Sequence, residues 1–586
     1  MANIDSAQYY PIREVRHLKE MIHNSASQYP DNAAFLVKRE KAGSYHQIKY
    51  KQLQHDIDAL GTKMISMGLK DAKIAIIGEN CYQWVVAYYA TVNGTGIAVP
   101  LDKELNQEEV QHLILTADCK AVFYTETYAS YFSEMDIPFK FKMELYGDRE
   151  GLEEALTETA GYQSDTGFLL DWSSMVASGE TLLASGDRSF LDAVIDPDVM
   201  KVILFTSGTT EAAKGVMLCH RNIVSNIMDT CSIVEIKDTD RTLSILPIHH
   251  TFECTLGISL ILYRGASVAF YEGLKYVAKN MVEAQPTVLI AVPLILESLY
   301  EKIWKQAEKT GKASVLRKAI NINRKSKAIG IDLSKVLFKS VYEKFGGKLR
   351  LLITGAAAID PNVCRGFDDL GIRLLQGYGL TECSPLVTGP PEWLNTYKKA
   401  GSVGLVVRSG ELSIIDQDDD GIGEIIFKGP NVMLGYYQMP EKTAEVLKDG
   451  WFHTGDLGFM DEEGWVYLTG RKKNVIVTKT GKNIYPEEVE SYLNRHPHIQ
   501  DSMVYGEDLE NNEDTLVKAQ VIPAYEAIFE EFGEGLSEDR IQDIVKKAVA
   551  EINEHFPVYK RIRGVIVRQQ DFIRTTTKKI KRNLNK

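Results

Sequence analysis

The chain lacks the features that mark several large classes of protein. Its 586 residues include only seven cysteines, at 81, 119, 219, 231, 254, 364 and 383. They are scattered, odd in number and form no Cys-x-x-Cys pair, which argues against a disulfide framework or a zinc site and for a reducing compartment. No uncharged apolar run reaches the length of a membrane span, and Arg264 interrupts the best candidate. The opening Met1-Ala2-Asn3-Ile4-Asp5 has no basic-then-apolar order of a secretory leader. A cytoplasmic protein is expected. Positive charge is not in excess: 67 Lys and Arg face 80 Asp and Glu, for a net charge of −13. That argues against nucleic acid as a partner. No internal repeat or low-complexity stretch is present. What remains is ordinary globular composition, 44% hydrophobic and 25% charged. The length exceeds what one core holds, so two or more domains are expected.

Short β-rich runs alternate with helical patterns through the first half. Lys73–Gly78, the amphipathic Tyr82–Val92 and Gly96–Pro100 follow one another, and Ala121–Tyr124, Thr242–Leu246, Ala266–Tyr271, Thr287–Val292 and Leu349–Thr354 read as further strands. Such alternation predicts an α/β domain with largely parallel sheets. After Gly401 the strands Leu412–Ile415, Gly423–Phe427 and Trp465–Leu468 are separated by Asp/Gly turns, which predicts a small antiparallel unit. Asp416–Gly421 begins like a calcium loop. Its closing glutamate would fall at Phe427 and its flanks read as strands, so it is read as an acidic hairpin turn. Lys472-Lys473 precede a new strand, Val475-Ile476-Val477, and the domain boundary is placed there, giving 1–473 and 474–586. In the second part a helix is predicted from Pro486 to Asn494, and Glu530–Asp539 reads as a solvated loop and helix start.

Residues 301–350 hold 14 Lys/Arg and 4 Asp/Glu, so this stretch is net +10 inside an acidic chain. Val315, Leu316, Ala319 and Ile320 recur at helical spacing. Two readings stand: surface helices with solvated basic faces, or contact with an anionic membrane surface.

The most informative run is Val202-Ile203-Leu204-Phe205-Thr206-Ser207-Gly208-Thr209-Thr210-Glu211-Ala212-Ala213-Lys214-Gly215. An apolar strand leads into four hydroxyl side chains, two glycines and a lysine. Backbone N–H groups, hydroxyls and an ammonium in one loop can cradle phosphates. The common P-loop order is not met, since Ala213 precedes Lys214 and Gly215 follows it.

This loop heads an ordered series: Leu246-Pro247-Ile248-His249-His250, Ile353-Thr354-Gly355-Ala356-Ala357-Ala358, Gln376-Gly377-Tyr378-Gly379-Leu380-Thr381-Glu382, Trp451-Phe452-His453-Thr454-Gly455-Asp456, Gly470-Arg471-Lys472-Lys473-Asn474 and Thr577-Lys578-Lys579-Ile580-Lys581-Arg582. In content and order the series resembles the acyl-adenylate-forming superfamily of acyl-CoA synthetases, peptide-synthetase adenylation domains and beetle luciferases. The helical segment before Gly355 resembles the long-chain members. The resemblance implies a large N-terminal domain of α/β subdomains plus a small β-barrel-like unit, followed by a small mobile α+β C-terminal domain.

It also implies the chemistry. A fatty acid would be activated by ATP to acyl-AMP with release of pyrophosphate, then passed to the thiol of coenzyme A. Thr206, Ser207, Gly208, Thr209, Thr210 and Lys214 would hold the β- and γ-phosphates. Glu382, with Thr206, would hold Mg2+, a hard ion that needs few protein oxygens when phosphates supply the rest. Thr381 would bond the α-phosphate. Tyr378, Gly355, Ala356, Ala357, Gly377 and Gly379 would receive adenine. Asp456 would accept both ribose hydroxyls, and Arg471 would add a second contact. Lys579 would reach the reacting phosphate from the C-terminal domain. After rotation about Lys473, Gly481 would leave room for the pantetheine arm. His250 would stand at the mouth of the acyl pocket, near Phe252 and Gly257. Three positions depart from the family pattern: Glu211 for glycine, Ala213 for proline and Lys578 for glycine. An acyl carrier protein is an alternative acceptor, because it presents the same pantetheine arm. A nucleotide-binding protein that no longer turns over is the alternative from outside the enzyme class.

Overall fold

Two large sheets carry most of the chain in the computed structural model, which describes residues 8–145, 162–164, 167–206, 213–478, 482–508, 515–574 and 580–585. One sheet has seven strands in the order Arg373–Gln376, Leu351–Thr354, Val288–Ala291, Arg241–Ser244, Ser267–Phe270, Ala33–Lys38, Tyr45–Lys49. All its pairings are parallel except the last, a hairpin. The other has nine strands, parallel through its centre at Met200–Thr206, Ile97–Pro100, Lys73–Ile77, Ala121–Thr125 and Phe139–Met143. Most of the strands read from the first half are present within one or two residues, because short Val/Ile-rich runs bounded by turns suit strands buried on both faces.

One apolar core joins the two sheets. The helix Tyr82–Ala90 is not the half-exposed amphipathic helix expected from the sequence: it runs through the core with all nine residues buried, Gln83 among them, because it packs on every side. The predicted helix extended to Val92, but an α-helix ends at Ala90 and a π-turn, Thr91–Thr95, takes over. Gly94, inside that turn, is non-helical, and a Cβ there would stand 3.0 Å from the Phe190 ring.

Val288–Ala291 and Leu351–Thr354 are neighbours in the sheet, yet residues 292–350 lie between them in sequence. That excursion consists of the helices Pro293–Lys309, Ala313–Ala328, Ser334–Leu337 and Lys339–Lys344, so the basic stretch is helical as expected.

The small antiparallel unit contains Glu411–Ile415, Gly423–Lys428, Leu447–Lys448, Trp451–Met460 and Val466–Arg471. Its long central strand, Trp451–Met460, is legible in the sequence only as a motif. Phe452, Thr454 and Asp456 face inward at alternate positions, and two polar residues on the buried side mask the strand pattern. The acidic stretch at 416–421 is a turn between paired strands: Asp418 Oδ1 accepts from the N–H groups of Asp420 and Ile422.

Beyond Lys472–Asn474 the chain has its own core, built from Val489, Val504, Val521 and Val545 among others. Ile499–Asp508, Thr515–Pro523 and Gly564–Val567 form its sheet, packed by Pro486–Leu493 and Glu538–Asn553. The stretch read as a solvated loop at 530–539 is in part the end of a helix, Tyr525–Phe532, whose Ile528 is buried. Asp418 Oδ2 also accepts from the Tyr485 hydroxyl at 2.6 Å, tying the small unit to this last part.

Candidate active site

The hydroxyl-rich run forms a hairpin. Thr206 ends one strand of the nine-stranded sheet and Lys214 opens its antiparallel partner, directly opposite. The Thr206 hydroxyl donates to the Lys214 carbonyl at 3.3 Å. The tip between them, with Ser207, Gly208, Thr209, Thr210 and Glu211, lies outside the described residues, as do Gly481, Lys578 and Lys579.

On its other edge the strand Lys214–Cys219 pairs with the two-residue strand Gly435–Tyr436, Val216 opposite Tyr436. This brings the Tyr436 ring under Lys214, whose Nζ stands 5.3 Å from the ring centroid. The Tyr436 hydroxyl donates to Glu382 Oε1 at 2.9 Å. Burial and the Glu382 charge push the Tyr436 phenol far above its ordinary pKa, so it serves as a fixed donor. Glu382 sits in the turn Thr381–Cys383, and its carbonyl accepts the Met433 N–H at 2.8 Å. Its second carboxylate oxygen has no partner among the described residues.

Asp456 is held differently. Arg471 stands opposite it in the sheet, and Arg471 Nε meets Asp456 Oδ1 at 2.6 Å. The Tyr378 hydroxyl donates to Oδ2 at 2.6 Å. Thr454 accepts the Asp456 N–H at 3.0 Å and donates to the Ile425 carbonyl at 2.7 Å, fixing the strand backbone. Burial, the largest single influence, lowers the Arg471 pKa, but Asp456, Tyr378, Glu382 and Glu487 together outweigh it and hold the guanidinium above its ordinary value. Lys473 is pushed down by burial and by the positive charges of Arg471 and Lys214. Three cations thus converge beside two carboxylates.

The glycines divide by purpose. Thr354 and Gln376 end adjacent parallel strands in register, followed by Gly355 and Gly377. Thr354 Oγ1 and Gln376 Oε1 are buried and have no partner among the described residues. A Cβ on Gly355 would stand 3.3 Å from the Gly377 carbonyl and 3.6 Å from the Phe252 ring. Ala356 adopts the left-handed conformation, φ 70°, which costs an alanine about 1 kcal/mol. At Gly379 the requirement is internal, since a Cβ would meet the Pro385 carbonyl at 2.0 Å.

These groups fit a nucleotide and a hard cation: one open carboxylate oxygen beside a lysine, three clustered cations, and two unpartnered polar atoms at strand ends, where α/β sheets hold ligands.

His249 is the buried member of the histidine pair. Burial pushes its pKa down to about 3, and Nε2 stands 3.6 Å from Asp102 Oδ1. It lines an apolar cavity with Tyr88, Leu204, Thr251, Cys254 and Thr255. His250 is half-buried beside it, the ring centroids 5.1 Å apart. Gly257 serves a buried acid: a Cβ there would meet Glu253 Oε2 at 2.6 Å. Burial pushes the Glu253 carboxyl up to about 8, and its Oε1 has no partner among the described residues.

Sequence reading missed Tyr436, Thr454 and Glu253. Only a distant strand pairing gives Tyr436 its place. Its local signal, Gly435-Tyr436-Tyr437, is a bare β-prone pair.

The family model described as AMP-binding enzyme matches residues 22–437, and that of the AMP-binding enzyme C-terminal domain matches 473–585. The chain belongs to the AMP-binding enzyme family. Among curated relatives it is 31% identical to rat long-chain-fatty-acid–CoA ligase 5 over 548 residues, 86% of this chain and 76% of the relative. It is 30% identical to human long-chain-fatty-acid–CoA ligase 1 over 542 residues, 86% and 73% of the two. The fold matches o-succinylbenzoate CoA synthetase of Bacillus subtilis, solved with its acyl-adenylate intermediate, with a TM-score of 0.70 at 20% identity over 97% of both chains.

Proposed function

We propose that this enzyme is an ATP-dependent acid–thiol ligase that activates a long-chain fatty acid as acyl-AMP and transfers the acyl group to coenzyme A. The observation that carries the reading is the convergence of Lys214, Glu382, Asp456, Arg471 and Lys473 around one place. The long-chain and coenzyme A assignments draw on the names of the curated relatives.

A carboxylate oxygen attacks the α-phosphorus, and the bond to pyrophosphate breaks. Lys214, Thr206 and the loop 207–210 take the β- and γ-phosphates, where fixed cationic and N–H donors meet charge as it develops. Glu382, through its open oxygen, and Thr206 would hold magnesium, which would supply positive charge to neutralise the phosphates. Tyr436 keeps that carboxylate in one orientation. Thr381 bonds the α-phosphate. Gly355, Ala356, Ala357 and Gly377 admit adenine against Tyr378. Asp456, already oriented by Arg471 and Tyr378, uses its remaining lone pairs on the ribose. His250 stands at the acyl mouth. In the second step the thiol attacks the acyl carbon and AMP leaves.

The mobile unit is residues 474–586, turning about Lys473, so that Lys579 serves the first step and Gly481 clears the thiol's path in the second. The enzyme works in the cytoplasm, meeting its substrate at a membrane surface.

Pyrophosphate release with a panel of acids, with and without coenzyme A, tests the reading. AMP is the expected nucleotide product, and ADP would rule out adenylation. Lys579→Ala should slow acyl-AMP formation about a hundredfold or more and still form thioester from supplied acyl-AMP. Gly481→Leu should do the reverse. Equal loss of both steps in both variants would rule out the rotating unit.

A further inference from the structure

The helix Ala313–Ala328 shows an unusual outer face. Val315, Ile322 and Ile329, its C-cap, lie seven residues apart, and such a spacing drifts only about 20° per step around a helix. The three side chains form one line, each at least half exposed. Ile331 and Val336, just beyond, are 50% and 78% exposed. The inner face is committed elsewhere: Ile320 is buried, and the buried Asn323 amide donates to Ser334 Oγ and to the Asp369 carbonyl, both at 2.9 Å. The apolar line therefore has nothing of this fold to cover it among the described residues.

Charge flanks the line. Lys318 and Lys325 each follow an apolar member by three residues, one turn on, and Lys335 precedes Val336. None of these three lysines has an ion-pair partner among the described residues, unlike Arg324, which is engaged by Asp369. In this net +10 stretch of an acidic chain, Lys305, Lys339, Arg324 and Arg350 are ion-paired, which leaves Lys318, Lys325 and Lys335 beside exposed aliphatic side chains for another use. Apolar side chains enter the acyl boundary of a bilayer while lysines meet anionic headgroups, and long lysine stems reach outward to do so.

We propose that this face, Val315, Ile322 and Ile329 with Lys318, Lys325 and Lys335, docks the enzyme on an anionic lipid surface. It deepens the reading of a lipid-activating enzyme and rests on it for purpose. An acidic protein would be met by the lysines but would give no use to a straight aliphatic line. The excursion carrying this face leaves the sheet after Ala291 and returns at Leu351, whose strand ends at Thr354, next to Gly355. Docking there sets the membrane against the element that leads into the site.

Co-sedimentation of the full chain with phosphatidylcholine vesicles, with and without phosphatidylglycerol, tests it. Binding should require phosphatidylglycerol and weaken with salt. Lys318→Glu/Lys325→Glu should lower it more than about thirtyfold. Val315→Ser/Ile322→Ser should lower it about tenfold and leave the salt dependence. Pyrophosphate release with dissolved octanoate should be unchanged in both variants. Equal binding by wild type and variants, or none at low salt, overturns the proposal. So does a dimer in light scattering that Ile322→Asp dissociates while vesicles go unbound, or binding of acyl carrier protein, but not vesicles, that is lost in the lysine variant. Loss of octanoate activation in wild type would fault the proposed function and leave the vesicle result standing.

Discussion

Asp456 and Glu382 are both carboxylates of one site, and the fold treats them oppositely. Asp456 is buried and engaged on both oxygens, by Arg471 and Tyr378, each at 2.6 Å, with a lone pair left on each. Glu382 has one oxygen engaged by Tyr436 and one open. An acid engaged on both oxygens is part of the scaffold as well as the site, because its partners would be left unpaired without it. A half-engaged acid stores little folding energy and keeps its capacity for a ligand. Glu253, buried with no ion-pair partner among the described residues, is a third case: burial raises its pKa to about 8 and so favours the neutral acid.

The comparison breaks most sharply on activity. Glu382→Gln should lower kcat/KM for adenylation about a hundredfold, or ~2.7 kcal/mol, while urea unfolding stays within about 0.5 kcal/mol of wild type. A large stability loss in this variant would show that Glu382 is scaffold too. Asp456→Ala should show the other pattern. Losing the pair should cost about 2 kcal/mol in urea unfolding, a value held down by the solvent that Arg471 still meets, and ATP KM should rise. An unchanged unfolding midpoint would erase the distinction.

Glu253 supplies the finest test, through pH. Its carboxyl titrates at about 8 in the fold and about 4.3 when unfolded. A raised pKa means that its share of stability is whole below the unfolded value and is lost as pH rises toward the folded one. Wild-type stability should therefore fall by up to about 1.4 kcal/mol per pH unit in that window from this group alone. Glu253→Gln should lack this fall, so the gap between the two proteins should change steadily from about pH 5 to pH 8 in thermal melts. A constant gap would mean that Glu253 is already ionised in the fold.

These environments were not equally legible in the sequence. The parallel strands announced themselves, since apolar runs such as Lys73–Ile77 need no partner information to be recognised. Asp456, Arg471 and Glu382 were found through motifs, and the structure brings them together. The oxygen-by-oxygen state of each was invisible, because it depends on pairings far apart in the chain: Gly435–Tyr436 with the strand after Lys214, and Tyr378 with Trp451–Met460. Glu253 gave no signal, since a lone glutamate in an apolar run reads as a surface residue until the neighbouring Gly257 is seen to make room for it. Trp451–Met460 hid its strand behind inward-facing polar residues.

The long crossover between Val288–Ala291 and Leu351–Thr354 has a consequence for how such an enzyme can diversify. The two strands hold each other by their own ladder, whatever connects them. Closing a longer connection costs only about 0.6 kcal/mol for each doubling of its length. Residues 292–350 can therefore lengthen, shorten or change their outer face as an exchangeable cassette. On the docking proposed above, the address of the enzyme would be written on a segment that carries none of the proposed site residues.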